Sequence, residues 1–332
     1  MRKKIVIFFF KIILIYLLSC IFVYTISSFL LIYGKIIDIR LITEYQRNFY
    51  HNLGFRKIWQ IQVNCVDYDK DLIFIPKLGM CKFKNIEFST ELNFSKNGRS
   101  HSSNIKLKNE NINSKKGIVV LGDSHAMGWG VNDNETFSFI LEEKIKRPVY
   151  NLAVSGYSTN REILALKKSK LIDHVDTIVI QYSNNDLDEN QSFLHNKSIN
   201  NYSKYQRLFS EDFSTFKRFR KAIRYAITIP FDAKKKELDW RKEEEYFFKI
   251  LNNYDFIKEK KIILIYANGH EIYYKNFYLN SNYSQNSNRI YLININYEKR
   301  DFYLIDGHLN KYGHLKVANT LYNLMNDKVS FK

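Results

Sequence analysis

Residues 117–125 read Gly-Ile-Val-Val-Leu-Gly-Asp-Ser-His, and this stretch decides both the fold and the place of its chemistry. Gly117 to Leu121 is a short, continuous apolar run closed by glycine, the pattern of a strand buried on both faces. Loop residues follow, and from about Thr136 to Lys146 the positions of Phe137, Ile140 and Leu141 predict a helix with one apolar side. The unit is strand, loop, helix.

The unit recurs downstream. Val149–Ala153 precedes a helix predicted near Asn160–Leu171, Thr177–Tyr182 reads as a third strand and Lys261–Ala267 as a fourth. A final helix, about Lys311–Met325, carries Leu315, Ala318, Leu321 and Met325 at helical spacing. Alternating strands and helices predict a mostly parallel sheet covered on both faces. Between residues 187 and 244 the rhythm breaks into an aromatic and basic insertion that includes Phe213, Phe216, Lys217, Arg218 and Arg220. Amphipathic helices with a solvated basic face explain it most simply; a lid or a surface for lipid headgroups or acidic glycan is the alternative.

Upstream, Ile86, Phe88, Thr90, Leu92 and Phe94 alternate with polar residues, as in a strand with one buried face, and Asn97-Gly98 supplies a turn. Residues 41–116 thus read as a β-rich lead-in and linker, and 117–332 as the main domain. Nearer the start, Arg2, Lys3 and Lys4 precede an uncharged run, Ile12–Tyr33, that reaches about 33 Å as a helix, enough to cross a bilayer core. Residues 1–40 are therefore expected to hold a transmembrane signal anchor, with the basic cluster cytoplasmic and residues 41–332 periplasmic or extracellular. There Cys65 and Cys81 either pair, closing a loop of about 15 residues worth roughly 3 kcal/mol, or stay as buried thiols. Cys20 is expected within the membrane.

With 332 residues, 45% of them apolar, the chain can bury a sizeable core, and disorder is excluded for most of it. The formal charge of +17 calls for an anionic neighbourhood: nucleic acid, a membrane surface or acidic glycan. The expected anchor and the lack of a recognition motif argue against nucleic acid. No His-Glu-x-x-His, phosphate loop or dinucleotide fingerprint occurs, so no metal or cofactor is expected.

In open α/β sheets, ligands bind in loops leaving the carboxyl ends of strands. Here those loops are Gly122-Asp123-Ser124-His125, Ser155-Gly156-Tyr157-Ser158 and Ser183-Asn184-Asn185-Asp186, joined by Asp306-Gly307-His308 before the last helix. Acyl transfer needs such parts: a hydroxyl, an imidazole to take its proton, a carboxylate to fix the imidazole, and donors for an oxyanion. Ser124, His308 and Asp306 suit the first three roles; Ser124 N–H, Gly156 N–H and the Asn185 amide suit the last. Ser155 rivals Ser124 but reads as a turn residue, and Asp186 as a loop anchor. His314, inside the last helix, and His270, after the fourth strand, compete with His308.

Together the four blocks resemble those of SGNH hydrolases of the GDSL esterase/lipase superfamily. The first is similar to the nucleophile block, Asn151-Leu152-Ala153-Val154-Ser155-Gly156 to the glycine block, Ser183-Asn184-Asn185-Asp186 to the G-x-N-D block and Asp306-Gly307-His308 to the terminal Asp/His block, over about residues 117–325. The resemblance implies a flavodoxin-like three-layer α/β/α fold and a metal-independent serine esterase or acyltransferase. It carries the nucleophile to Ser124, the oxyanion donors to Gly156 and Asn185, and the base to His308. His125 stands where the motif has leucine, Ser183 replaces a glycine, and Asp306 is two residues from His308 where many members have three. The expected function is a membrane-anchored esterase acting on O-acyl groups of envelope glycans or lipids. An O-acyltransferase with the same triad and a non-catalytic glycan-binding module are the alternatives.

Overall fold

A computed structural model describes residues 2–33, 47, 50, 51, 56–99, 116–183, 185–196, 220, 240–267 and 289–326. Two compact units emerge. One comprises Met1–Lys57, Asn85–Glu87 and Glu211–Glu237; the other comprises Ile58–Lys84, Phe88–Ser210 and Leu238–Lys332.

In the first unit, helix α1 spans Arg2–Tyr33, and its segment Ile5–Ile26 is long and apolar enough for a single membrane span or a signal sequence. The apolar segment therefore starts earlier than the uncharged run at Ile12, because the helix tolerates Lys11. Ser19 and Thr25 donate to the carbonyls of Ile15 and Ile21, so their hydroxyls are satisfied within the helix.

The second unit holds a two-stranded ribbon, β1 (Val66–Asp69) and β2 (Ile73–Pro76), and an eight-stranded sheet. The sheet strands are β3 (Gly79–Lys84), β4 (Ser89–Ser95), β5 (Gly98–Arg99), β6 (Gly117–Leu121), β7 (Val149–Asn151), β8 (Val175–Tyr182), β9 (Lys261–Tyr266) and β10 (Ile290–Ile293). Their spatial order is β10-β9-β8-β6-β7-β5-β4-β3. Strands β10 through β7 pair in parallel, whereas β5, β4 and β3 extend the sheet antiparallel. Within the parallel part the chain reverses direction of travel at β6, and a crevice forms at the carboxyl ends of strands where such a reversal occurs.

Helices follow the strands: α2 (Ser124–Met127), α3 (Phe137–Ile145), α4 (Thr159–Ser169), α5 (Asp186–Asn196), α6 (Trp240–Asn252) and α7 (Lys311–Asn326). Alternation along β6 sorts them into two layers. Ile118 and Val120 pack with Phe137 and Leu141 of α3 and with Val317, Ala318 and Leu321 of α7. Val119 and Leu121 join Ile163 and Leu166 of α4 and Phe247, Ile250 and Leu251 of α6. Each of these Val, Leu, Ile and Phe side chains stabilises the fold by about 1.5–3 kcal/mol when fully buried.

Several sequence expectations shift. The lead-in strand begins at Ser89, and Ile86 is 40% exposed, because its apolar alternation extends beyond the paired residues. On α7 the buried stripe is His314, Val317, Ala318 and Leu321, which leaves Leu315 44% exposed. The ends of the 187–244 insertion are the helices α5 and α6; its aromatic and basic run at 213–219 lies outside the described residues.

Cys65 and Cys81 form a disulfide with a Cα separation of 5.2 Å. Lys77 N–H donates to the Cys65 carbonyl over 2.8 Å, and the fully buried Trp59 packs on Phe74 and Phe94, with ring centroids 6.5 and 5.7 Å away. The crosslink thus reinforces an aromatic cluster. Replacing both cysteines by serine should destabilise the protein by about 3 kcal/mol, read as a lower melting temperature that reductant no longer alters; an unchanged melting temperature would contradict the pairing.

Candidate active site

The first loop is shaped by glycine and by a glutamine. Gly122 has φ +148°, and a Cβ there would lie 2.7 Å from the Ala126 side chain and 2.9 Å from Gln181 Oε1. Asp123 then caps α2 by accepting from His125 N–H at 2.9 Å. Gln181, on β8, accepts from the N–H groups of Asp123 and Ala126 at 3.2 and 3.1 Å. Gly128, left-handed at φ +83°, ends the short helix. Beyond it the fully buried Arg99 donates to the carbonyls of Met127, Gly128 and Val131 at 2.5, 2.7 and 2.6 Å, and to Asp133 at 2.7 Å. Ser124 is thereby held on a rigid corner at the end of β6.

The terminal loop is equally tied. Tyr303 N–H donates to the His308 carbonyl at 2.8 Å, and Gly307 N–H to the Tyr303 carbonyl at 3.1 Å. Asn310 caps α7, accepting from Tyr312 N–H at 2.9 Å, while its own amide donates to the carbonyls of Arg300 and Phe302. This turn projects His308 towards the first loop. His308 Nε2 lies 2.7 Å from Ser124 Oγ, and Nδ1 hydrogen-bonds Asp306 Oδ1. Trp129 stacks on the imidazole with centroids 4.9 Å apart and planes 19° apart, and the His125 ring is also 4.9 Å away. Ser124 and His308 are each 8% exposed and Asp306 3%, so their mutual hydrogen bonds form largely out of water.

The other two loops converge on the same corner. Val154 N–H donates to the Gly122 carbonyl at 3.1 Å and opens a turn closed by Tyr157 N–H on the Val154 carbonyl at 3.0 Å, with Gly156 at φ +79°. After β8, Asp186 N–H donates to the Ser183 carbonyl at 3.1 Å; Asn184 lies outside the described residues. Asn185 Nδ2 donates to Asp123 Oδ2 at 3.1 Å, which places its carboxamide beside Ser124's neighbour. Asp186 accepts from Thr159 N–H and Oγ at 3.2 and 2.9 Å, tying the third loop to the start of α4. Burial and the charge of Asp123 push Asp186 up, and burial beside Asp186 pushes Glu162 well above the ordinary carboxylate range.

Hydrogen bonds therefore join Ser124, His308 and Asp306, and bring Asn185 and the Gly156 turn to the same edge. Ser155 Oγ accepts from Gln60 Nε2 at 3.0 Å, in keeping with a turn residue. His314 is fully buried, accepts from Phe137 N–H at 3.1 Å through Nδ1 and stacks on the Phe137 ring. His270 lies outside the described residues. Sequence reasoning passed over Gln60, Arg99, Trp129 and Gln181. Only Trp129, between Gly128 and Gly130 in the loop after Ser124, carried a legible signal. Among the described residues no group of three or more His, Cys, Asp or Glu is placed to hold a metal.

No protein-family model matches the sequence, and no curated protein matches it. Solved structures do resemble it. A lipase/acylhydrolase from Enterococcus faecalis is 15% identical, with 63% of this chain and 94% of that one covered at a TM-score of 0.35. A protein of the G-D-S-L lipolytic family from Desulfitobacterium hafniense DCB-2 is 10% identical, with 63% and 99% covered at 0.35. A family two carbohydrate esterase from Clostridium thermocellum in complex with cellohexaose is 12% identical, with 65% of each chain covered at 0.35. Likeness at this level carries no argument about chemistry, which rests on side-chain geometry.

Burial, followed by the charges of Arg99, His125 and His308, holds the His314 pKa down to about 3. In the unfolded chain the same imidazole takes its proton near pH 6.5. Above that pH both states are neutral and His314 contributes nothing to pH dependence. Below it the unfolded chain binds the extra proton, and stability falls by up to about 1.4 kcal/mol per pH unit until roughly pH 3. Between pH 7 and 4 the urea midpoint of the native protein should fall more steeply, or rise less, than that of His314→Gln; equal slopes would contradict this reading.

Proposed function

We propose that the chain is a membrane-anchored serine esterase that hydrolyses O-acyl esters of anionic envelope glycans or lipids through an acyl-enzyme, with residues 41–332 outside the cytoplasm. One observation carries the reading: Nε2 of His308 is 2.7 Å from Ser124 Oγ while Nδ1 engages Asp306. That is the geometry of a base poised on its nucleophile and oriented by a carboxylate.

In the proposed reaction Ser124 Oγ attacks the ester carbonyl as His308 Nε2 takes its proton. Asp306 holds the imidazole tautomer and stabilises the imidazolium. The Trp129 face, parallel to that ring, favours its charged form as well. Negative charge develops on the carbonyl oxygen and is met by the N–H groups of Ser124 and Gly156 and by the Asn185 amide. That amide has two N–H groups, of which one donates to Asp123. His308 returns the proton to the leaving alcohol, and a water activated by the same imidazole releases the acid.

The formal charge of +17 supports an anionic envelope substrate, and the Ile5–Ile26 helix supports the anchor. The strand order supports a flavodoxin-like arrangement of the SGNH type.

Ser124→Ala should cut p-nitrophenyl acetate turnover by roughly ten-thousand-fold or more with an unchanged melting temperature. Retained turnover would move the nucleophile elsewhere. Asn185→Ala should lower kcat by about 100- to 1000-fold and alter KM little, since its donor acts chiefly in the transition state. A wild-type kcat in that variant would remove Asn185 from the oxyanion site.

A further inference from the structure

Gln60 lies in a short helical turn, Trp59–Ile61, far upstream of the four loops. Its Nε2 donates to Ser155 Oγ at 3.0 Å and stands 2.5 Å from where a Cβ on Gly156 would be. The other end of the carboxamide, Oε1, is buried without a hydrogen-bond partner among the described residues. A residue present only to fill space would be better served by leucine or methionine, which leave no buried oxygen unpaired.

The turn it covers is held from several directions. Gly156 is left-handed at φ +79°, Tyr157 N–H closes on the Val154 carbonyl at 3.0 Å, and the Arg161 guanidinium donates to the Gly156 carbonyl. Gln60 adds the grip on the Ser155 hydroxyl and closes the space over the Gly156 Cα. It is itself pinned: Trp59 is buried against Phe74 and Phe94, Gln62 N–H donates to the Trp59 carbonyl at 3.0 Å, and Cys65, three residues on, is crosslinked to Cys81.

We infer that Gln60 is a positioning residue that sets the Gly156 amide for the oxyanion, so that the lead-in is part of the working site. The inference rests on the esterase reading. Gln60 acts through the turn and touches none of the reacting atoms. Its uncharged carboxamide matters, because a carboxylate in the same place would oppose the negative charge that the turn is built to receive.

The experiment measures p-nitrophenyl acetate kinetics and melting temperatures for the detergent-solubilised full chain and its Gln60→Ala, Gln60→Glu and Ser124→Ala variants. Gln60→Ala should lower kcat about tenfold with KM within about twofold. Gln60→Glu keeps the shape and can accept from the Ser155 hydroxyl, yet should lower kcat about 100-fold or more, at assay temperatures well below its melting temperature and with KM within about twofold. If Ser124→Ala retains turnover, the esterase reading itself fails. If turnover depends on Ser124 but Gln60→Glu matches the native enzyme, the inference is overturned and the esterase reading stands. The same holds if Gln60→Ala is the worse variant and its loss follows its melting temperature.

Discussion

The site depends on one hydrogen bond between residues 184 positions apart, from the Ser124 hydroxyl to His308 Nε2. Neither partner can make it alone. Ser124 needs β6 buried in the centre of a parallel sheet and a glycine at φ +148° to turn the chain away from it. His308 needs a tight turn anchored on both sides, by the Phe302 and Leu309 bridge and by the Asn310 cap of α7. The two loops meet because α7 packs on the face of the sheet that also carries α3, through Val317, Ala318, Leu321, Phe137 and Leu141. Packing supplies the energy, and the hydrogen bond uses its precision.

Around this pair the protein buries several ionisable groups, and each has a different solution. Arg99 is fully buried but donates to three carbonyls and to Asp133, which turns a costly cation into a brace for the loop after Ser124. Arg161 pairs with Glu189 and reaches the Gly156 carbonyl. Glu162 and Asp186, raised by burial, favour the neutral carboxyl, and His314 is held neutral inside a helix. The two arginines thus keep their charge as braces for loops, while burial shifts the two carboxyls and the imidazole towards their neutral forms.

Much of this was legible because continuous apolar runs mark the central strands. Ile118 to Leu121, Ile178 to Ile180 and Ile262 to Ile265 are buried on both faces, so they read as strands without alternation. The polar blocks after them stood out for the same reason. Less was legible where burial is partial or the partner distant in sequence. The edge strand β10 has four half-buried residues, and among the described residues β3, at the other edge, pairs with β4 alone. His314 packs inside the last helix, as an imidazole at that position is expected to, whereas Leu315, expected in the apolar stripe, is 44% exposed. The roles of Arg99 and Gln60 come entirely from tertiary proximity, which no local spacing encodes.

The proposed chemistry needs Ser124 as nucleophile and His308 as its base. The most direct measurement is peptide mass mapping after treatment with a fluorophosphonate, for the native chain and for His308→Ala. A single phosphonate adduct should form on Ser124 at neutral pH and be lost or strongly slowed in the histidine variant. An adduct on another serine, or equal labelling of Ser124 with and without His308, would contradict it.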